Sequence, residues 1–146
     1  MSGKEVDDTG TDVRAVIERI SFDSKGLVPA IIQEEGSKDV LMLGYMDNEA
    51  VRRTLTEGRV TFWSRSRQEY WRKGDTSGHH QYVRGAALDC DGDALLVTVH
   101  QIGPACHTGS HACFDVDPLA PVVFDGTVVG SDPAQSDVVG SEDGGN

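Results

Sequence analysis

All three cysteines of this chain, Cys90, Cys106 and Cys113, fall within one short stretch among acids and histidines: Asp89-Cys90-Asp91-Gly92-Asp93, then Cys106-His107-Thr108-Gly109-Ser110-His111-Ala112-Cys113. Three thiols cannot all pair within one chain, which argues against a fold stapled by disulfides and for reduced cysteines. Stability must then come from buried apolar surface. At 146 residues and 38% hydrophobic, the chain is long enough for one domain with a core of its own.

The apolar pattern is mainly that of short strands. Val28 to Gln33 and Val40 to Tyr45 are apolar runs joined by a polar connection containing Gly36, which predicts a hairpin. Asp47 or Asn48 can cap a helix. Ala50, Val51, Thr54 and Leu55 share one face of it and Gly58 stops it, so a helix is predicted over about 48–57. Further strands are predicted at 59–64, 81–89 and 95–102, the last ended by Gly103-Pro104. The fold class is α+β, a mainly β single domain with one or two short helices.

The formal net charge of −11 is concentrated at the ends. Residues 1–12 sum to −3 and residues 115–146, with seven acids and no Lys or Arg, to −7, leaving −1 for 13–114. The stretch from 125 onward is rich in Gly, Ser and Asp and too poor in apolar groups to offset the entropy of ordering it. The expected organisation is an acidic disordered tail at 1–12, a domain at 13–124 and a second acidic disordered tail at 125–146. A near-neutral centre with acidic ends lacks the basic excess that nucleic-acid binding needs. The start has no apolar run of a secretory signal, and nowhere do 18 apolar residues follow one another, so a cytoplasmic protein without a membrane span is expected.

The cysteine region offers metal chemistry. On a strand end, Asp89, Asp91 and Asp93 would face one way and Cys90 the other, giving hard oxygen ligands suited to Mg²⁺ and a thiolate suited to Zn²⁺. The competing reading is a hairpin turn at Asp91-Gly92, with Cys90 a small buried hydrophobe. Cys106 and Cys113 lie seven apart, wider than a zinc-finger spacing, in a predicted loop. Three thiolates would leave a fourth position on zinc for water, whereas His107 or His111 could instead close the shell or carry a proton. Arg65, Arg67, Arg72, Lys73 and Arg84, with Thr76, Ser77 and Gly78, form a cationic stretch that reads either as a phosphate cradle or as a solvated face.

Five motifs bear on these alternatives by resemblance. Val40-Leu41-Met42-Leu43-Gly44-Tyr45-Met46, Thr61-Phe62-Trp63-Ser64-Arg65-Ser66-Arg67, Trp71-Arg72-Lys73-Gly74-Asp75-Thr76-Ser77-Gly78, Asp89 to Leu96 and Ile102 to Gly109 closely resemble the phosphoribosyl-AMP cyclohydrolase family of histidine biosynthesis, in its order and spacing from about Phe22 to Phe114. The resemblance implies a metal-dependent hydrolase that opens the adenine ring of phosphoribosyl-AMP at the N1–C6 bond, giving phosphoribosyl-formimino aminoimidazole carboxamide ribotide. It implies Zn²⁺ held by Cys90, Cys106 and Cys113 and Mg²⁺ held by Asp89, Asp91 and Asp93. It also implies an intertwined homodimer in which Cys90 of one subunit completes the zinc site with Cys106 and Cys113 of the other. Some members of the family carry a fused pyrophosphohydrolase domain, for which this chain is too short.

With that resemblance in place, His107 is the expected general base, and Arg65, Arg67, Arg72, Lys73, Thr76 and Ser77 are expected to hold the substrate's phosphates and ribose. The alternative from another class is a small zinc-stabilised binding module, its shell closed by a histidine and without catalytic activity.

Overall fold

The centre of the structure is a strand flanked by one antiparallel and one parallel partner. The computed structural model describes residues 12–120. The chain divides into a unit ending at Phe114 and a second beginning at Asp115, and the strands and helices below belong to the first. The tails read at 1–12 and 125–146 lie outside the described residues, except for Asp12.

Strands β1 (Val28–Glu34) and β2 (Val40–Met46) form the predicted antiparallel hairpin, with Val28 opposite Met46 and Ile32 opposite Met42. Every second residue of β1, namely Val28, Ala30 and Ile32, is fully buried, as the period of two requires when one sheet face meets the core. Helix α2 (Asn48–Glu57) follows, with Asp47 as its N-cap accepting from the Ala50 amide at 2.8 Å and Gly58 as a left-handed C-cap. It buries the predicted face of Ala50, Val51 and Thr54, and Leu55 packs at the core's edge.

Strands β5 (Gln81–Leu88) and β6 (Leu95–Gln101) pair antiparallel, and β6 runs parallel to β1, giving the sheet order β2-β1-β6-β5. Leu95, Val97 and Val99 of β6 bury beside β1. Each such side chain taken from water contributes about 1.5–3 kcal/mol. A parallel neighbour needs a long crossover, and here everything from β2 to β5 lies in it.

The mainly β reading with two short helices is thus the observed class. Two elements escaped the sequence pattern. Helix α1 (Val13–Glu18) starts at Asp12, which accepts from the Arg14 amide at 3.0 Å. Strand β4 (Glu69–Arg72) pairs with β3 (Thr61–Ser64) in a separate two-stranded sheet, Phe62 opposite Trp71 and Trp63 opposite Tyr70. Strand β3 starts two residues later than predicted. Phe62 is buried and sits on Gly44 of β2, where a Cβ would come within 2.5 Å of its ring. That close approach is how the small sheet packs on the large one.

Candidate metal and substrate site

The Asp89–Ala94 segment is a turn between β5 and β6, not a strand end, so alternation of faces is not what arranges its carboxylates. The Asp89 amide donates to the Ala94 carbonyl at 3.1 Å and the Gly92 amide to the Asp89 carbonyl at 3.1 Å. Asp89 Oδ1 then accepts from the Asp93 and Ala94 amides at 3.0 and 3.3 Å. Gly92 has φ 77°, and a Cβ there would lie 2.6 Å from the Arg19 carbonyl oxygen. The turn can be this tight because that residue has no side chain.

The same turn does gather the three carboxylates: oxygens of Asp89, Asp91 and Asp93 lie within 4.8 Å of one another, a donor set able to hold a hard cation. Side-chain hydrogen bonding to Asp91 and Asp89 pushes the Asp93 carboxyl up to about 6. Desolvation alone would raise Asp89, but hydrogen bonds from the Asp93 side chain and amide hold it below the ordinary 3.8.

Cys106 and Cys113 are brought together by a closed loop after β6. The Ala105 amide donates to the His111 carbonyl at 3.0 Å, Cys106 to Ser110 at 3.1 Å and Gly109 back to Cys106 at 2.9 Å. The ladder folds the seven-residue spacing back on itself, so the two thiols sit within hydrogen-bonding range of each other. The Thr108 hydroxyl donates to Cys106 Sγ at 3.1 Å, and this bond with the Thr108 amide holds the buried Cys106 thiol below its ordinary range. Burial and the neighbouring Cys106 push Cys113 up. Cys106 therefore ionises first.

Cys90 is exposed and, among the described residues, belongs to neither group of three ligand atoms lying within 4.8 Å of one another. A single chain brings together two of the three sequence-predicted sulfurs. His107 is exposed beside Cys106. His111 is engaged elsewhere: its Nε2 lies 3.0 Å from Glu34 Oε1 and 3.4 Å from Asp39 Oδ2, tying the cysteine loop to the β1–β2 turn. That second acid-histidine group went unread in the sequence, because Glu34 and His111 are adjacent only once β6 lies beside β1.

The cationic stretch does not form one surface. Arg72 pairs with Asp75 at 3.0 Å, Arg67 with Glu69 at 3.4 Å, and the Arg65 guanidinium stacks 4.0 Å over the Tyr45 ring. Arg84 reaches Glu35 at 3.3 Å. Thr76 and Ser77 are exposed in the loop after Lys73, whose far side is pinned by Arg59 to Asp75 at 2.9 Å and to His80 Nδ1 at 2.6 Å. An open pocket of about 330 Å³ beside Arg72 is lined by Arg53, Glu57, Thr61, Tyr70, Arg72 and Asp75. Two arginines and two carboxylates line it. Lys73 points the other way, donating to the Ala105 carbonyl at 2.5 Å.

Known proteins are closely similar to this chain. A family model described as phosphoribosyl-AMP cyclohydrolase matches residues 42–115, a span that contains the aspartate turn and the cysteine loop. The phosphoribosyl-AMP cyclohydrolase of Leifsonia xyli subsp. xyli is 69% identical over 115 residues, covering 79% of this chain and 90% of that protein. Proteins of the same name from Clavibacter michiganensis subsp. michiganensis and Bifidobacterium adolescentis are 68% and 61% identical, over 76% and 84% of this chain and 84% and 91% of their own.

Proposed function

Because the chain belongs to the phosphoribosyl-AMP cyclohydrolase family, we propose that it opens the six-membered ring of phosphoribosyl-AMP by adding water across N1–C6, a step of L-histidine biosynthesis in the cytoplasm. The observation that carries this reading is the pairing of two converged donor sets in one short segment: the adjacent Cys106 and Cys113 thiols, and the Asp89, Asp91 and Asp93 carboxylates.

The donors fit two different cations. Soft sulfur suits Zn²⁺ and hard carboxylate oxygen suits Mg²⁺. Cys90 from a second copy of the chain would complete the zinc ligands in a homodimer; among the described residues it joins no cluster of three donors in its own subunit. Zinc held there would supply Lewis acidity toward water, and magnesium would supply charge against a phosphate.

The chain's own groups do the rest. His107, exposed beside Cys106, takes one proton from the attacking water and returns it to N1 as the N1–C6 bond breaks, while the hydroxyl left on C6 becomes the carboxamide oxygen, its proton passing to the exocyclic nitrogen. Arg65, Arg67 and Arg72 hold the phosphates, with the Thr76 and Ser77 hydroxyls toward the ribose. The ion pairs of Arg67 and Arg72 are exposed, worth about 0–1 kcal/mol each, and are exchanged for phosphate at little cost.

The direct test incubates purified protein with phosphoribosyl-AMP and follows ring opening by absorbance, with and without a zinc chelator. Turnover that the chelator abolishes and added zinc restores is the expected result. A protein that binds zinc yet leaves the substrate intact would refute the assignment.

A further inference from the structure

Lys73 is a half-buried lysine without a carboxylate partner among the described residues. Its backbone is held at both ends: its amide donates to the Val60 carbonyl at 2.9 Å, and its carbonyl accepts from Arg59 Nη2 at 3.3 Å. From this anchored position the side chain crosses the Trp71 ring, Nζ 5.7 Å from the centroid, and ends on the Ala105 carbonyl. The residue after that carbonyl is Cys106.

An ammonium ion taken partly from water needs a compensating charge. Burial accordingly pushes Lys73 below its ordinary 10.5, and the group that anchors its ammonium ion is the carbonyl one residue before Cys106. The neighbouring Arg72, in contrast, faces solvent and two acids. Consecutive residues of one strand point to opposite sides, so β4 sends one cation outward and the residue after the strand carries the other toward the cysteine loop.

We propose that Lys73 is a positioning residue of the cysteine site: clamped on the Ala105 carbonyl, its ammonium ion supplies a fixed positive charge at the cysteine loop that balances the excess negative charge of a zinc–thiolate centre, and it does not bind substrate phosphate. The proposal deepens the metal reading above and rests on it. Three thiolates around Zn²⁺ leave one net negative charge, which a fixed ammonium ion at the loop would neutralise.

The test compares full-length Lys73→Gln, which keeps a hydrogen-bond donor but loses the charge, with Lys73→Arg, which keeps the charge. Zinc affinity is read by competition with a chromogenic chelator, and KM for phosphoribosyl-AMP is read at saturating zinc. The expected result is a fall in zinc affinity of about 10- to 100-fold in Lys73→Gln, recovery toward wild type in Lys73→Arg, and an unchanged KM in both. Wild-type zinc affinity in Lys73→Gln would overturn the proposal, as would equal losses in both variants. A raised KM with unaltered zinc affinity would return Lys73 to the phosphate cradle. Wild-type protein that binds no zinc overturns the metal reading itself, and is thereby distinguished from failure of Lys73 alone.

Discussion

The Tyr70 hydroxyl donates a 2.7 Å hydrogen bond to Asp47 Oδ2, while the other oxygen of the same carboxylate caps α2 at the Ala50 amide, 2.8 Å away. One carboxylate therefore joins the β3–β4 sheet to the start of the helix. Asp47→Ala should lose the cap and leave the half-buried phenol without its acceptor, costing about 2–4 kcal/mol, against about 1 kcal/mol for Tyr70→Phe. Urea unfolding of the two single variants and the double variant checks this, and the double should cost less than the sum of the singles.

The same bond predicts an alkaline transition. Burial, then the hydrogen bond to Asp47, pushes the Tyr70 phenol up to about 12 from the ordinary 10.0. The folded state keeps a proton that the unfolded chain releases, so this contribution is complete below pH about 10 and is lost as pH rises toward about 12. Wild-type stability should fall more steeply than that of Tyr70→Phe across this window, measured by denaturant midpoints at successive pH values.

Gly92→Ala should loosen the aspartate turn. Its left-handed backbone costs a residue with a side chain about 1–2 kcal/mol, and the new Cβ would meet the Arg19 carbonyl oxygen at 2.6 Å. Thermal unfolding should show a loss of at least that size, and Mg²⁺ affinity measured by calorimetry should fall with it.

His107→Ala should lower kcat by about 10²–10⁴-fold while leaving zinc stoichiometry at the wild-type value. Steady-state kinetics and metal analysis on the same preparation separate a lost proton carrier from a lost ligand.

Sharing of the zinc site between subunits predicts complementation. Cys90→Ala and Cys106→Ala proteins should each be inactive, yet random mixing of their subunits should restore about a quarter of wild-type activity. Half of the dimers then contain both chains, and each of those has one intact site of two. Mixtures as inactive as their parents would refute the sharing.

The local elements were the easily legible part. The β1–β2 hairpin, helix α2 with its Asp47 cap and Gly58 stop, and strands β5 and β6 follow from periodicity and turn residues a few positions apart. Strand β4 escaped because four residues with charges at both ends, Glu69-Tyr70-Trp71-Arg72, look like part of a solvated arginine run; the paired aromatics Tyr70 and Trp71 were the available signal. The aspartate trio was legible as a donor set, and of the two readings the sequence left open for it, strand end or hairpin turn, the turn is what gathers it.

The amino-acid pattern by itself determined the mainly β class, the helix and its limits, and the residue types that can ligate metal, because each is written within a few residues of one another. Only the tertiary structure decided that β6 lies parallel to β1, that Glu34 meets His111, and that Lys73 turns from the arginine run to a carbonyl 32 residues away. Those contacts are chosen by how buried faces pack, and residues distant in the chain become neighbours only after that packing is complete.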